Sequence, residues 1–170
     1  MVGGNGSKLN LFGFNFSDDF AVPNLARLQW TNNGGGASFN IVPPSSNVVI
    51  DGVVSASVYD VALQEQSGDP RSSQISNYTA QLTFTYFGGD TELAYGFDFN
   101  ALNTKFSFVN PLNITFSQAD FTSELNAFAK YKRKIGKLII EPGFRVQYYA
   151  TQSAISLEPR LGLKLNATDK

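Results

Sequence analysis

The chain has 170 residues, of which 16% are charged and 14% aromatic, so we expect one domain that is unusually poor in charge. A formal net charge of -1 provides no basic field that would attract nucleic acid, and no nucleic-acid partner is expected. Because the chain has no Cys and no His, it lacks thiolate nucleophiles, the usual general base and the commonest metal ligand, which predicts no enzyme, no cofactor and no bound metal.

Apolar and polar residues alternate from the start of the chain, as is typical of β-strands. The first predicted strand runs from about Lys8 to Ser17, and the second covers Ala26 to Val42. The second contains the glycines at 34–36, which predict a β-bulge because glycine inside a strand often marks one. Pro43 and Pro44 then predict a tight turn, because proline cannot continue the hydrogen-bond ladder.

The middle of the chain predicts three more strands. The third covers Asn47 to Leu63 and is followed by a segment of loop composition from Gln64 to Gln74. The fourth lies around 78–86 and the fifth around 92–100, and Gly88-Gly89-Asp90 between them is typical of a hairpin turn. The stretch from Ala101 to Asp120 has no clear period and is predicted to be a long link.

The last third predicts three further strands, which bring the total to eight. They cover Phe121 to Tyr131, Lys137 to Tyr149, and 155–165. In the eighth strand every second residue from Ile155 to Leu165 is apolar, so one face needs a long apolar partner. Pro142 and Pro159 fall on the apolar faces of the last two strands and predict local bulges or weak pairing.

Strand length and the spacing of the links favour lipid over a protein core as that partner. Several predicted strands have ten residues or more, which matches the roughly 9 to 11 residues of a tilted transmembrane β-strand. Short turns alternate with longer links at Ser17 to Leu25, Gln64 to Gln74 and Ala101 to Asp120, as in outer-membrane barrels. We therefore predict an all-β, antiparallel, up-and-down transmembrane barrel of about eight strands, with residues 1–170 forming one segment.

Charged residues lie almost wholly on the polar faces of these strands, where they are expected to face the barrel lumen as opposite-charge pairs. Three phenylalanines in the longest link are expected to extend strands above the membrane, and the alternative is that they form a ligand-side loop surface. The candidate lumen residues are Glu124, Lys130, Glu141, Arg145, Glu158, Arg160 and Lys164, and the candidate loop residues are Phe106, Phe108 and Phe116.

Two strand sequences carry a family resemblance. Lys137-Leu-Ile-Ile-Glu-Pro-Gly-Phe-Arg-Val-Gln-Tyr-Tyr149 and Ser156-Leu-Glu-Pro-Arg-Leu-Gly-Leu163 contain paired Glu-Pro-Gly-x-Arg and Glu-Pro-Arg-x-Gly motifs. They resemble mid-barrel strands of TonB-dependent receptors of the Bacteroidota type, and Trp30 with the strand that descends to Pro43-Pro44 is also similar to that family.

The resemblance implies a bacterial outer-membrane receptor that takes up scarce nutrients such as siderophores, glycans, cobalamin or peptides. Such receptors form a barrel of about twenty-two strands around a plug domain and are driven by the TonB complex. Eight strands are a partial, open section of that barrel, and no signal peptide or plug domain is recognised in the sequence. The expected partners are outer-membrane lipid and, in the parent protein, the plug and the TonB complex. The fragment alone is not expected to transport.

Two alternatives of other classes remain open at this point. A complete eight-stranded outer-membrane barrel with a structural or adhesive role requires the first strand to pair with the eighth. A soluble β-sandwich binding module requires two sheets packed face to face. The sequence does not identify the transported ligand, the native start of the chain or its oligomeric state.

Overall fold

A computed structural model describes residues 6–65, 70–110, 112 and 114–167, and these form one antiparallel sheet. No helix in those ranges is long and apolar enough to cross a membrane. The eight strands are β1 (Lys8–Val22), β2 (Ala26–Ile41), β3 (Val48–Glu65), β4 (Arg71–Gly88), β5 (Thr91–Val109), β6 (Thr115–Ile135), β7 (Leu138–Tyr149) and β8 (Ala154–Leu165).

Each strand pairs with the next one along the chain, in the order β1 to β8, and every pair is antiparallel. The predicted all-β, up-and-down fold of eight strands is therefore confirmed. β1 and β8 are the two edges of the sheet and do not contact each other, so the section is open and the closed eight-stranded alternative is wrong. The sandwich alternative is also wrong, because the described residues form one sheet with no second layer.

The strands are longer than the sequence pattern indicates. β5 has 19 residues and β6 has 21, so the predicted long link at Ala101 to Asp120 is in fact two strand arms joined near Asn110. β1 likewise continues to Val22, which replaces most of the link predicted at Ser17 to Leu25. β7 and β8 have only 12 residues each and end well below the tips of their neighbours.

One cross-strand row separates the sheet into two halves. The row is Phe12, Gly36, Ser55, Thr79, Asn100, Glu124 and Tyr149, whose Cα atoms pair successively from β1 to β7. We call the end with the β2–β3, β4–β5 and β6–β7 turns the lower half and the other end the upper half. Only β1 to β6 extend into the upper half, because the β7–β8 turn follows Tyr149 directly.

The two faces of the sheet are defined by its curvature in the lower half. Grooves there are lined mainly by side chains that alternate with the apolar ones, among them Gln81, Asp98 and Arg145. This concave side is the inner face, and the side that carries Phe97 and Phe144 is the outer face. Paired residues on neighbouring strands share a face, so the strand register assigns every described strand residue to one of the two.

The predicted bulge at 34–36 is absent, because β2 keeps one register with β1 and one with β3 along its whole length. The glycines instead make room for aromatic rings from the neighbouring strand. A Cβ on Gly34 would lie 2.5 Å from Phe14 Cζ, and a Cβ on Gly36 would lie 2.7 Å from Phe12 Cζ. The same arrangement recurs in two further cross-strand pairs, Phe39 with Gly52 and Phe128 with Gly96.

Neither of the two strand prolines causes a bulge, but one of them weakens strand pairing. The β7–β8 register is unbroken at Pro142 and Pro159, so the predicted bulges are wrong. The β6–β7 ladder is interrupted opposite Pro142 and Glu141 and resumes in the same register beyond them. Weakened pairing follows from the missing proline N–H, which cannot donate to β6.

Very little of the described chain is buried. Ala94 and Ala101 are the buried hydrophobic residues, and the buried polar residues are Ser76, Asn126 and Gln147. Large apolar side chains stay exposed instead, for example Leu161 at 68% and Leu11 at 78%. The sheet by itself has no hydrophobic core, so its apolar surfaces require partners outside the described residues.

Candidate functional site

The inner face of the lower half carries a hydrogen-bonded network centred on Asp98. Asn126 Nδ2 donates to Asp98 Oδ1 at 2.5 Å, and Arg145 Nη2 reaches the same oxygen at 3.5 Å. Asn126 is fully buried although no apolar layer covers it, because its neighbours on β5 and β7 enclose it. Asn126 Oδ1 and Arg145 Nε are buried and find no hydrogen-bond partner among the described residues. Buried polar atoms are normally paired, so this network is incomplete in the isolated sheet.

Further polar pairs flank this centre. Lys130 Nζ lies 3.5 Å from Glu141 Oε1, and Gln147 Nε2 donates to Glu124 Oε2 at 3.1 Å. Arg160 and Glu158 form an ion pair at 2.7 Å within β8. These pairs are partly exposed, so each contributes a fraction of a kcal/mol at most.

All seven predicted charged residues lie on the inner face. Alternation along the strands and the β6–β7–β8 register place them there together. Six of them take part in the pairs above, and Lys164, near the lower end of β8, has no ion-pair partner among the described residues. Asp98, Asn126 and Gln147 also belong to the inner-face network, but the sequence did not predict them. They come together through the register across β5, β6 and β7, which no local sequence pattern contains.

The outer face of the lower half is an apolar belt. One of its rows crosses all eight strands, and its residues pair successively. That row is Leu9, Phe39, Gly52, Leu82, Phe97, Ala127, Val146 and Leu157. In the described part of this face Arg133 is the single charged residue, and it lies beside the lower turn. At a tilt of about 45° the 12 residues of β7 or β8 cover roughly 28 Å, close to the hydrocarbon thickness of a bilayer.

In the upper half the large apolar side chains lie on the inner face, whereas in the lower half they lie on the outer face. Inner-face positions now carry the large apolar side chains, although register and alternation continue without a break. These residues are Phe14, Phe16, Phe20, Leu28, Trp30, Tyr59, Val61, Leu63, Ile75, Leu102, Phe106, Phe108 and Phe116. We call them the aromatic wall.

The three phenylalanines of the longest predicted link lie in strands, as the favoured interpretation expects, and they belong to this wall. Phe106 and Phe108 lie in β5, and Phe116 lies opposite Phe108 in β6. The rings of Phe108 and Phe116 stack with centroids 5.0 Å apart, and Phe106 is 5.8 Å from Phe108. Trp30 and Tyr59 form a second ring contact at 6.2 Å. The wall can therefore offer stacked ring faces to a molecule held inside the sheet.

The outer face of the upper half is polar and forms a trough across β1 to β6. Its volume is about 1120 Å³. Its lining combines hydroxyl and amide side chains, among them Ser72 and Ser107, which pair across β4 and β5, with residues of the aromatic wall such as Trp30 and Phe106. Gln74 Nε2 donates to Asp60 Oδ1 at 2.7 Å, whereas Lys105 has no hydrogen-bond or ion-pair partner within the described residues.

A charged cluster stands at the β1 end of the trough. Arg27 Nε donates to Asp19 Oδ1 at 2.9 Å, and Gln29 Nε2 donates to Asp19 Oδ2 at 3.0 Å. The Arg27 hydrogen bonds, followed by that of Gln29, lower the pKa of Asp19 to about 2. In return Asp19 raises the pKa of Arg27. Both groups therefore stay charged over the physiological pH range.

The described residues contain no group of three or more carboxylates that could hold a metal ion. The inner face and the trough are suited to hydrogen bonding and ion pairing.

Comparison with known proteins finds a likeness of fold. No protein-family profile matches the chain, and no curated protein matches it in sequence. The crystal structure of the outer membrane transporter YddB from Escherichia coli is similar, with a TM-score of 0.63 at 10% sequence identity. The similarity covers 91% of this chain and 26% of the transporter, so the chain spans about a quarter of that protein's length. The open sheet thus matches a section of a transporter barrel.

Proposed function

We propose that the chain forms part of the wall of a bacterial outer-membrane transporter of the TonB-dependent receptor type, which takes up a scarce nutrient. The observation that carries this proposal is the division of the lower half into a charged inner face and an outer belt in which Arg133, beside the lower turn, is the single charged residue described. A water-filled or plug-filled lumen on one side and lipid on the other account for both surfaces. The fold likeness to an outer membrane transporter supports the same assignment.

The proposal fixes the orientation of the sheet. Outer-membrane barrels have short turns on the periplasmic side and long extensions outside. The lower turns at Gly89 and Gly136 are tight, and both glycines have positive φ angles, of 55° and 59°. The lower half accordingly lies in the membrane with its turns in the periplasm, and the arms of β1 to β6 project outside the cell.

The inner face then has two roles in the parent protein. The network around Asp98, with its unpaired Asn126 Oδ1 and Arg145 Nε, faces the plug domain, whose polar groups would complete it. The aromatic wall lines the external entrance, where a siderophore, glycan, cobalamin or peptide would be met. The section has no catalytic role and does not transport without the plug and the TonB complex.

Two experiments test the proposal separately. The expressed chain should insert into vesicles of phosphatidylethanolamine and phosphatidylglycerol, resist extraction by sodium carbonate and show a β-rich circular dichroism spectrum. Recovery in the soluble fraction as a folded protein would overturn the membrane assignment. The receptor assignment requires that the reading frame upstream encode a plug domain, and stop codons close to both ends of this segment would contradict it.

A further inference from the structure

The aromatic wall is almost free of positive charge. Three basic residues occur in the described part of the upper half, and the strand register puts two of them, Arg27 and Lys105, on the outer face. The third, Arg71, is the first residue of β4 and lies on the inner face at the strand tips, where Glu65 at the end of β3 carries the opposite charge. An anionic ligand would therefore meet no basic side chain below the tips of the described wall.

Two carboxylates lie on the same face as the rings. Asp18 and Asp120 occupy inner-face positions of β1 and β6, and neither forms an ion pair among the described residues. The Asp19 backbone N–H donates to Asp18 Oδ1 at 2.8 Å, and Gln118 Nε2 donates to Asp120 Oδ2 at 2.6 Å. Each carboxylate therefore keeps a second oxygen with which it can bind a ligand.

Aromatic rings surround Asp18 on this face. Phe16 and Phe20 are its inner-face neighbours along β1, each about 6.6 Å away, and both rings are exposed. Trp30 is its direct partner in β2, and the Trp30 ring contacts the ring of Tyr59. Direct cross-strand partners hold their Cβ atoms about 5 Å apart. An ammonium group paired with the Asp18 carboxylate would therefore reach ring faces, which attract cations through their quadrupoles.

We infer that Asp18, Phe16, Phe20 and Trp30, which we call the Asp18 site, bind an organic cation. The ligand is a molecule whose apolar or aromatic body carries an ammonium or guanidinium group. The carboxylate supplies the ion pair, and the rings supply cation–π contacts and cover the apolar body. This inference rests on the proposed function and narrows its substrate class, because an anionic chelate or a phosphate ester has no counter-charge at this site.

The position of Asp120 distinguishes two sources of such a cation. β6 lies five strand spacings from β1, so Asp120 and Asp18 are roughly 24 Å apart along the sheet. A small organic amine bound at Asp18 does not reach Asp120. An extended peptide with two basic residues about seven positions apart reaches both carboxylates, because each residue adds about 3.3 Å.

The experiment uses the full chain inserted into phosphatidylcholine vesicles, whose surface has no net charge. Trp30 is the single tryptophan of the chain, so its fluorescence reports binding at the Asp18 site directly. Saturation-transfer NMR of each probe gives the affinity independently, with empty vesicles as the blank. The small probes are 2-phenylethylammonium, the uncharged 2-phenylethanol and the anion 3-phenylpropionate. The peptide probe is an octapeptide with a lysine at each end and phenylalanine between them.

Two variants and one matched control make the test specific to the Asp18 site. Asp18→Asn keeps the shape of the side chain, removes its charge and should weaken binding of 2-phenylethylammonium about fivefold. Phe16→Leu keeps an apolar side chain but removes the ring, and should weaken the same probe about two- to threefold. Binding of 2-phenylethanol should be weak and unchanged in both variants. Asp60→Asn makes the same change of charge on the outer face and should have no effect.

The octapeptide identifies the source of the cation. Equal weakening of its binding by Asp18→Asn and Asp120→Asn assigns the site to a peptide, whereas weakening by Asp18→Asn alone assigns it to a free organic amine.

Four results would overturn the inference. They are equal affinity for 2-phenylethanol and 2-phenylethylammonium, tighter binding of 3-phenylpropionate, equal weakening in the Asp60→Asn control, and an inserted chain that binds none of the probes. Each of these leaves the proposed function intact, whereas a chain that does not insert overturns the proposed function as well.

Discussion

The lower and upper halves of this sheet share one backbone but place their apolar side chains on opposite faces. In β5, Phe97 and Phe99 point to the outer face, and Phe106 and Phe108, a few residues further along, point to the inner face. The register with both neighbouring strands is constant across the change. Backbone geometry therefore does not determine which face is apolar. Under the proposed membrane placement, the difference between the halves follows from their surroundings, with lipid outside the lower half and water outside the upper half.

A charge introduced on the outer face should give the largest difference between the halves. Phe97→Arg places a guanidinium in the middle of the belt and is expected to destabilise the inserted chain by about 2 to 4 kcal/mol. Asn103→Arg, on the same face of the same strand in the upper half, should cost less than about 1 kcal/mol. Urea unfolding in vesicles measures both, and equal costs would contradict a lipid-facing belt.

The stability of the sheet should be sensitive to substitution of Gly96, the glycine that the Phe128 ring covers, by alanine. A Cβ on Gly96 would lie 3.0 Å from Thr83 Cα, closer than Cβ atoms normally approach other carbon atoms. Gly96→Ala should therefore destabilise the sheet by about 1 to 3 kcal/mol through overpacking. Gly143 is the matched control on the same face, because its Cβ would meet neighbours at 3.4 to 3.8 Å. Gly143→Ala should be close to neutral in the same unfolding measurement, and a comparable loss there would refute the packing explanation.

Removal of the Asp98 carboxylate, the centre of the inner-face network, should reduce stability by a smaller amount. Asp98→Ala leaves Arg145 and the fully buried Asn126 without their shared acceptor, and we expect a loss of about 1 to 2 kcal/mol. Asp60→Ala removes the carboxylate that Gln74 contacts in the upper trough and should cost less than about 1 kcal/mol. A double-mutant cycle between Asp98→Ala and Arg145→Ala should show favourable coupling, and additive effects would mean that the two side chains do not interact.

The smallest expected effect is the pH dependence of stability that comes from the charged cluster of Asp19, Arg27 and Gln29. The folded pKa of Asp19, about 2, lies below the ordinary value of about 3.9, so ionised Asp19 favours the folded arm. That contribution is complete above about pH 4 and is lost as the pH falls through about 2. Carbon-13 NMR of the Asp19 carboxyl should follow this titration, and Arg27→Gln should move the pKa back up. An ordinary pKa in the unmodified chain would show that the pair does not form.

The sequence predicted the fold well, and two of its errors share one cause. Alternation located all eight strands, and the polar residues of β7 and β8 were assigned to a single face. The arms of β5 and β6 were mistaken for a link, and Gly34 to Gly36 for a bulge, because in both places the apolar residues move to the other face. A shift in the phase of alternation arises either from an extra residue or from a change of environment. Only the register of the neighbouring strands distinguishes these causes.

The candidate site was predictable only in part, for a related reason. The charges of Glu141, Arg145, Glu158 and Arg160 are visible as polar positions in alternating strands. The convergence of Asp98, Asn126 and Arg145 depends on how three strands align, and no local pattern specifies that alignment. The trough across β1 to β6 is likewise formed by residues distant in sequence.

The most direct test of the exchange between faces is a spin-label scan along β5 in the vesicle-inserted chain. The chain has no cysteine, so single cysteines at successive positions from 93 to 109 can be labelled without a background signal. Electron paramagnetic resonance then measures the accessibility of each label to oxygen, which concentrates in lipid, and to a water-soluble nickel complex. The account predicts high oxygen accessibility at odd positions from 93 to 99, followed by high nickel accessibility at odd positions from 103 to 107. Oxygen accessibility that continued at odd positions through 107, or that moved to the even positions, would contradict it.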